Sequence, residues 1–275
     1  MTRPAVLIFH RPATDGDPPL VRLLADVREE LARRQAALFE GAGASEAQLV
    51  TEWQAGRTFG EVLATLAPTR GGVIVLGSGA VARLYRSDAQ RLVSVAASGA
   101  RVALTNNRYS SDICAVGRAA ILRDLPPLPS DNALPRWLEE RAAFRVDELA
   151  GHERLALDLD TPLDVAIAAL APGAPAWRRA AAATGGLAGP RLQQIRRVAT
   201  DPHAELLVFG HPGTRESVDI CEILVGPSDV VRHPLKILLQ EEVLEVGLFL
   251  ACVVLARSHP PPSSSHENNQ QVAGC

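Results

Sequence analysis

Residues 72–79 read GVIVLGSG, a continuous apolar run that ends on Gly77, Ser78 and Gly79. Without alternation between apolar and polar positions, such a run fits a strand buried on both faces. Residues 5–9 (AVLIF) repeat the pattern and end at His10, Arg11 and Pro12. Between these runs, residues 19–39 carry Leu20, Leu23, Leu24, Val27, Leu31 and Leu38 at helical steps, and Gly41 and Gly43 stop the helix. A weaker strand is expected at 48–53 and a short helix at 58–66. Beyond Gly79 the pattern predicts a helix over 80–97, strands at 101–105 and 112–116, and a helix over 131–144 capped by Ser130 or Asp131. A strand at 155–159 follows, then a helix capped by Thr161 with Pro162 at its first position. Strands alternating with helices predict an α/β fold, a Rossmann-like three-layer sandwich around a mostly parallel sheet. In such sheets ligands bind beyond the carboxyl ends of the strands, which selects 77–79, 106–111 and 158–160.

The chain has 275 residues, 47% of them apolar and 21% charged, the composition of a globular protein with a sizeable core. Its 28 basic residues against 31 acidic ones give a net charge of −3, so no nucleic-acid partner is expected. Four cysteines without C-x-x-C spacing and seven dispersed histidines predict no zinc centre and reduced thiols. The apolar run at the amino terminus is too short for a signal peptide, and the apolar stretch 246–256 falls short of a membrane span. A cytoplasmic protein that acts on small molecules, without a membrane partner, is the expectation.

Three regions are expected. Residues 1–170 form the α/β domain, 171–217 a small extension of helices and a strand, and 218–275 an appendage with a disordered end. From about Val218 the arginine-rich, alanine-rich composition gives way to a different one, which reads as an amphipathic appendage or as a shift of reading frame near Ser217. Residues 243–254 are apolar nearly all round, as a buried or homodimer-forming helix would be.

Residues 155–165, LALDLDTPLDV, carry the chemistry. On a strand, Asp158 and Asp160 would share one face. Two such carboxylates suit a hard divalent cation that also takes substrate phosphates and water. A second reading of the same residues is a helix cap, with Thr161 and Asp164 forming a capping box.

This stretch resembles the D-x-D-T-P-E-D-L signature of the GT-A-like nucleotidyltransferases. That superfamily includes sugar-nucleotide synthetases, the molybdenum-cofactor nucleotidyltransferases and the guanylyltransferases of deazaflavin-cofactor synthesis. The order of features is most similar to the deazaflavin branch, which joins a nucleotide to phospholactate or phosphoenolpyruvate. Here that order runs GGVIVLGSGA, VALTNNRYSSDICAV, PSDNALPRWL and LALDLDTPLDV. The resemblance implies nucleotidyl transfer from a nucleoside triphosphate, GTP favoured over CTP, to a small phosphorylated or carboxylated acceptor, with Mg2+ as cofactor. It implies Asp160 as a metal ligand and catalytic residue, with Asp158 beside it. Gly77, Ser78, Gly79 and Arg11 would meet the nucleotide, and Asn107, Arg108, Ser110 and Ser111 the acceptor.

The pattern departs from the family in three places. The loop after the first strand has one glycine and two acids, residue 79 is glycine where a first metal aspartate is expected, and Leu163 replaces glutamate. These departures support an alternative, a nucleotide-binding or regulatory module that kept the fold and lost half of the metal site.

Overall fold

The computed structural model describes residues 3–51, 56–171 and 174–184, together with short pieces at 190–197 and the strands at 204–207 and 255–258. Its centre is a six-stranded sheet: β1 (Ala5–Phe9), β2 (Ala47–Val50), β3 (Val73–Gly77), β4 (Val102–Thr105), β5 (Ile113–Val116) and β6 (Arg145–Glu148). The spatial order is β2-β1-β3-β5-β4-β6. Every neighbouring pair is parallel except those made by β5, which runs antiparallel to both β3 and β4. The chain is therefore an α/β sandwich around a mostly parallel sheet. The two apolar runs at 5–9 and 73–77 lie side by side, Ala5 opposite Val73 and Ile8 opposite Leu76.

Side chains alternate between the faces of these strands, so each face has its own core. Leu7, Phe9, Val73, Val75, Cys114 and Val146 pack on α2 (Phe59–Leu66), on the 3₁₀ turn Ala119–Asp124 and on α4 (Leu134–Glu140). Val6, Ile8, Ile74, Leu76, Leu104 and Ile113 pack on α1 (Pro19–Gly41) and α3 (Arg86–Ala96). A third cluster joins Val27 and Leu31 of α1, Ala82, Leu157 and Leu159 to α6 (Pro162–Leu170) and to Trp177, Ala181 and Ala182 of α7 (Ala176–Thr184).

Three expected elements differ. The helix expected from residue 80 begins only at Arg86, because Val81 has φ +43°, a left-handed conformation that no continuing α-helix admits. The helix expected over 131–144 is a 3₁₀ turn, Asp131–Ala133, followed by α4. Ser130 makes no side-chain cap, and residues 145–148 leave as the edge strand β6. The strand expected at 155–159 is absent. The short helix α5 (His152–Leu155) ends there, and residues 156–160 continue as irregular chain. That chain touches the turn after β3 through two backbone hydrogen bonds, Leu159 N–H to Gly79 O and Ala82 N–H to Leu157 O, both 2.9 Å.

Thr161 caps α6 as expected: its hydroxyl accepts from the Asp164 amide while Asp164 accepts from the Thr161 amide. Strands β7 (Ala204–Leu207) and β8 (Leu255–Ser258) pair antiparallel. The expected helix at 243–254 lies outside the described residues. Among the described residues no helix is long and apolar enough to cross a membrane.

Candidate active site

The parallel strands β1, β3 and β4 end at one rim of the sheet. Because β5 is reversed, its amino end, and Asp112 just before it, reach the same rim. His10 follows β1 and Ser78 follows β3; both are buried, and His10 Nδ1 lies 3.0 Å from Ser78 Oγ. Burial lowers the His10 pKa; Glu29 opposes this shift, and Arg28 and Arg33 add to it, so the imidazole is neutral at neutral pH. The Ser78 amide donates to Phe9 O at 2.8 Å and the Ala80 amide to Gly77 O at 3.1 Å, so neither remains for a phosphate.

The carboxylate partner of Asp158 is Asp112, on a different element. The two side chains are within hydrogen-bond reach of each other. Burial raises both pKa values, Asp158 well above the usual carboxylate range, with the Asp112 charge adding to it. Two carboxyls this close share a proton between them.

Each carboxylate has its own holder. Asn106, 3% exposed at the end of β4, donates to Asp112 Oδ2 at 2.7 Å and accepts from the Asp112 and Ile113 amides at 3.0 and 3.3 Å. Asp158 Oδ1 accepts the Val81 amide at 2.7 Å. Asn106→Ala is expected to cost about 2 kcal/mol by urea unfolding, since it strands two amides and a carboxylate.

Asp160 does not share a face with Asp158, because no strand forms there. Its carboxylate, largely exposed, takes a 2.5 Å ion pair from Arg28 Nη2, while Arg28 Nε donates to Leu159 O at 2.5 Å. Asp131, on the 3₁₀ turn that precedes α4, completes the acidic group. Burial first, then the charges of Asp112 and Asp160, raise its pKa to about 6. Gly79 lets the pieces meet. A Cβ there would stand 2.9 Å from Leu159 O and 2.8 Å from Arg28 Nε, so only glycine allows residues 158–160 this close to the turn.

The loop expected to take the acceptor is largely occupied with its own fold. Asn107 Oδ1 accepts from the Tyr109 and Ser110 amides. Arg108 is drawn away to Glu139 at 3.0 Å and Val146 O at 2.7 Å. Ser111, 1% exposed, bonds Thr105 Oγ1 at 2.9 Å. Ser110 is exposed and lies 3.4 Å from Asn132 Oδ1, and Arg11 is exposed beyond β1. The rim thus gathers Gly77, Ser78, Gly79, Asp158 and Asp160, and turns Arg108 and Ser111 inward. Asp112, Asp131 and His10 are additions that sequence reading missed. Only a polar residue at the end of an apolar run signalled His10, and nothing local signalled the two aspartates.

No family model matches the chain, and no curated protein matches it. Among solved structures it is similar to a protein described as a nucleotide-diphospho-sugar transferase, from Desulfovibrio desulfuricans G20. That likeness has 15% identity and a TM-score of 0.42, and covers 66% of this chain and 94% of that one. It is also similar to Rv0371c from Mycobacterium tuberculosis H37Rv, with 17% identity and a TM-score of 0.35, over 60% of this chain and 96% of that one.

Proposed function

We propose that this rim is the catalytic centre of a nucleotidyltransferase. An anionic acceptor oxygen forms a bond to the α-phosphorus of a nucleoside triphosphate, the bond to the bridging oxygen of the β-phosphate breaks, and pyrophosphate leaves. The observation that carries this reading is the Asp112–Asp158 pair at the carboxyl ends of the strands, beside Gly79. Two half-buried carboxyls that share a proton are costly to a fold and make a ready seat for a cation.

Among the described residues, no three His, Cys, Asp or Glu side chains converge to hold a metal ion by themselves. A two-carboxylate seat is what Mg2+ uses when water and substrate phosphates fill its other positions, so the donor set fits that ion. Asp112 and Asp158 would hold it, with Asp160 alongside; bound there it would supply neutralisation of phosphate charge. The chain itself does the positioning. Asn106 fixes Asp112, the Val81 amide fixes Asp158, and Arg28 keeps the exposed Asp160 carboxylate turned to the rim. Gly79 lets residues 158–160 close on the turn after β3, and Asn107 and Ser110 remain the acceptor's side of the rim. GTP is the first nucleotide to test.

Pyrophosphate release should require Mg2+ in a screen of the four nucleoside triphosphates against small phosphorylated and carboxylated acceptors. In calorimetry, Mg2+ should strengthen nucleotide binding, and Asp112→Asn should abolish that gain. Nucleotide binding indifferent to Mg2+, or none, would instead identify a binding module that has kept the fold alone.

A further inference from the structure

The turn after β3 is held more firmly than its length requires. The Ala80 carbonyl accepts from Gln35 Nε2 of α1 at 2.7 Å, and the Val81 carbonyl from the Leu84 amide at 2.9 Å. The Ala82 carbonyl accepts from Arg178 Nη2 of α7 at 3.0 Å, and the Arg83 carbonyl from Arg154 Nη1 of α5 at 3.1 Å. Within this frame Val81 is fully buried at φ +43°, a conformation that costs a β-branched residue on the order of 1–3 kcal/mol. Strain of that size persists only where the surroundings over-determine it. Here it aims the Val81 amide at Asp158.

Arg178 is the unexpected clamp. It is 4% exposed, and among the described residues the charges that act on it are those of the cations Arg83 and Arg34. Among the described residues it makes no ion pair, its Nε has no partner, and its ring neighbour is Trp177 at 5.2 Å. Burial and the two arginines lower its pKa to about 10, so it is still a cation at neutral pH. An aliphatic side chain would fill the same space beside Trp177 without the cost of desolvating a charge. The one thing it would not do is hold the Ala82 carbonyl.

We infer that Arg178 is a positioning residue: by clamping the Ala82 carbonyl it keeps Val81 in its left-handed conformation, with the amide directed at Asp158. Helix α7 is then part of the scaffold of the rim. The functional half of this inference rests on Asp158 as a cation ligand; the geometric half does not.

Arg178→Met is the test, read on the full chain by the Val81 amide. Its hydrogen-exchange protection should fall about tenfold or more, while that of Val75 in β3 is kept. Mn2+ affinity by calorimetry should fall about tenfold as well. Arg178→Lys, which keeps a donor, should restore part of both. Val165→Ala opens a cavity in the same cluster and should lower the melting temperature without moving either reading. Should Arg178→Met not fold, Gln35→Leu removes the clamp on Ala80 and is read in the same way. An unchanged Val81 amide in the clamp variant, or an equal change in Val165→Ala, overturns the inference. A wild-type chain that binds no Mn2+ overturns the metal reading instead, and the Val81 amide still decides the role of Arg178.

Discussion

Asp158→Asn should lower Mg2+-dependent transfer by about three orders of magnitude and, at the same time, raise the melting temperature at pH 8. The first effect follows from losing one of two cation carboxylates, since neutralisation of phosphate charge is worth several kcal/mol, and about 4 kcal/mol is a thousandfold. The second follows from burial and the neighbouring Asp112 charge, which raise the Asp158 pKa well above its ordinary value. A raised pKa contributes stability only while the group holds its proton, and that contribution is lost as pH rises through the folded value. Asparagine keeps the shape, still accepts the Val81 amide and still donates to Asp112, without the charge. A residue with a merely structural role would lose stability on substitution. Opposite signs in the two measurements, by steady-state kinetics and by thermal melts, therefore mark a site that trades stability for chemistry.

Asp131→Asn isolates the same trade as a function of pH. The Asp131 pKa rises from 3.8 to about 6, chiefly by burial, which corresponds to at most about 3 kcal/mol. Because the folded value is the higher one, the wild type has this contribution in full below pH 3.8 and loses it as pH climbs through 6. The variant should therefore melt higher than wild type at pH 7.5, by roughly 6–12 °C if the whole amount is realised, and no higher at pH 4. His10 acts in the opposite direction, since its lowered pKa costs stability as pH falls below its ordinary 6.5. Comparing wild type with variant at each pH cancels that term. A difference between the two melting curves that stays flat from pH 4 to 7.5 would contradict the placing of Asp131 among these charges.

The strands β1, β3, β4 and β5 were legible because each is an apolar run whose burial on two faces leaves no room for charge. The edge strand β6 was not, since RVDE has one buried side chain, Val146, and pairing on one side only. Thr161, Pro162 and Asp164 announced the start of α6 through local hydrogen-bonding chemistry alone. Val81 could not be anticipated in a left-handed conformation, because no intrinsic preference puts a valine there; Gln35, Arg154 and Arg178 do, from three separate helices. The site divides the same way. Asp158 stood out in its motif, whereas Asp112 becomes its partner only once the reversed β5 has been laid beside β3, a tertiary fact with no local signature.

Asn106 clamps both ends of the connection between β4 and β5, holding the Asp112 and Ile113 amides and the Asp112 carboxylate from the far side of the loop. The residues in between, 107–110, are thereby uncoupled from the carboxylate that follows them. Insertions, deletions or grafted sequences there would change the loop's length and recognition surface while Asp112 stayed in register. Divergence among relatives, or laboratory selection for a new acceptor, has in this loop a place to vary that leaves the acidic centre fixed.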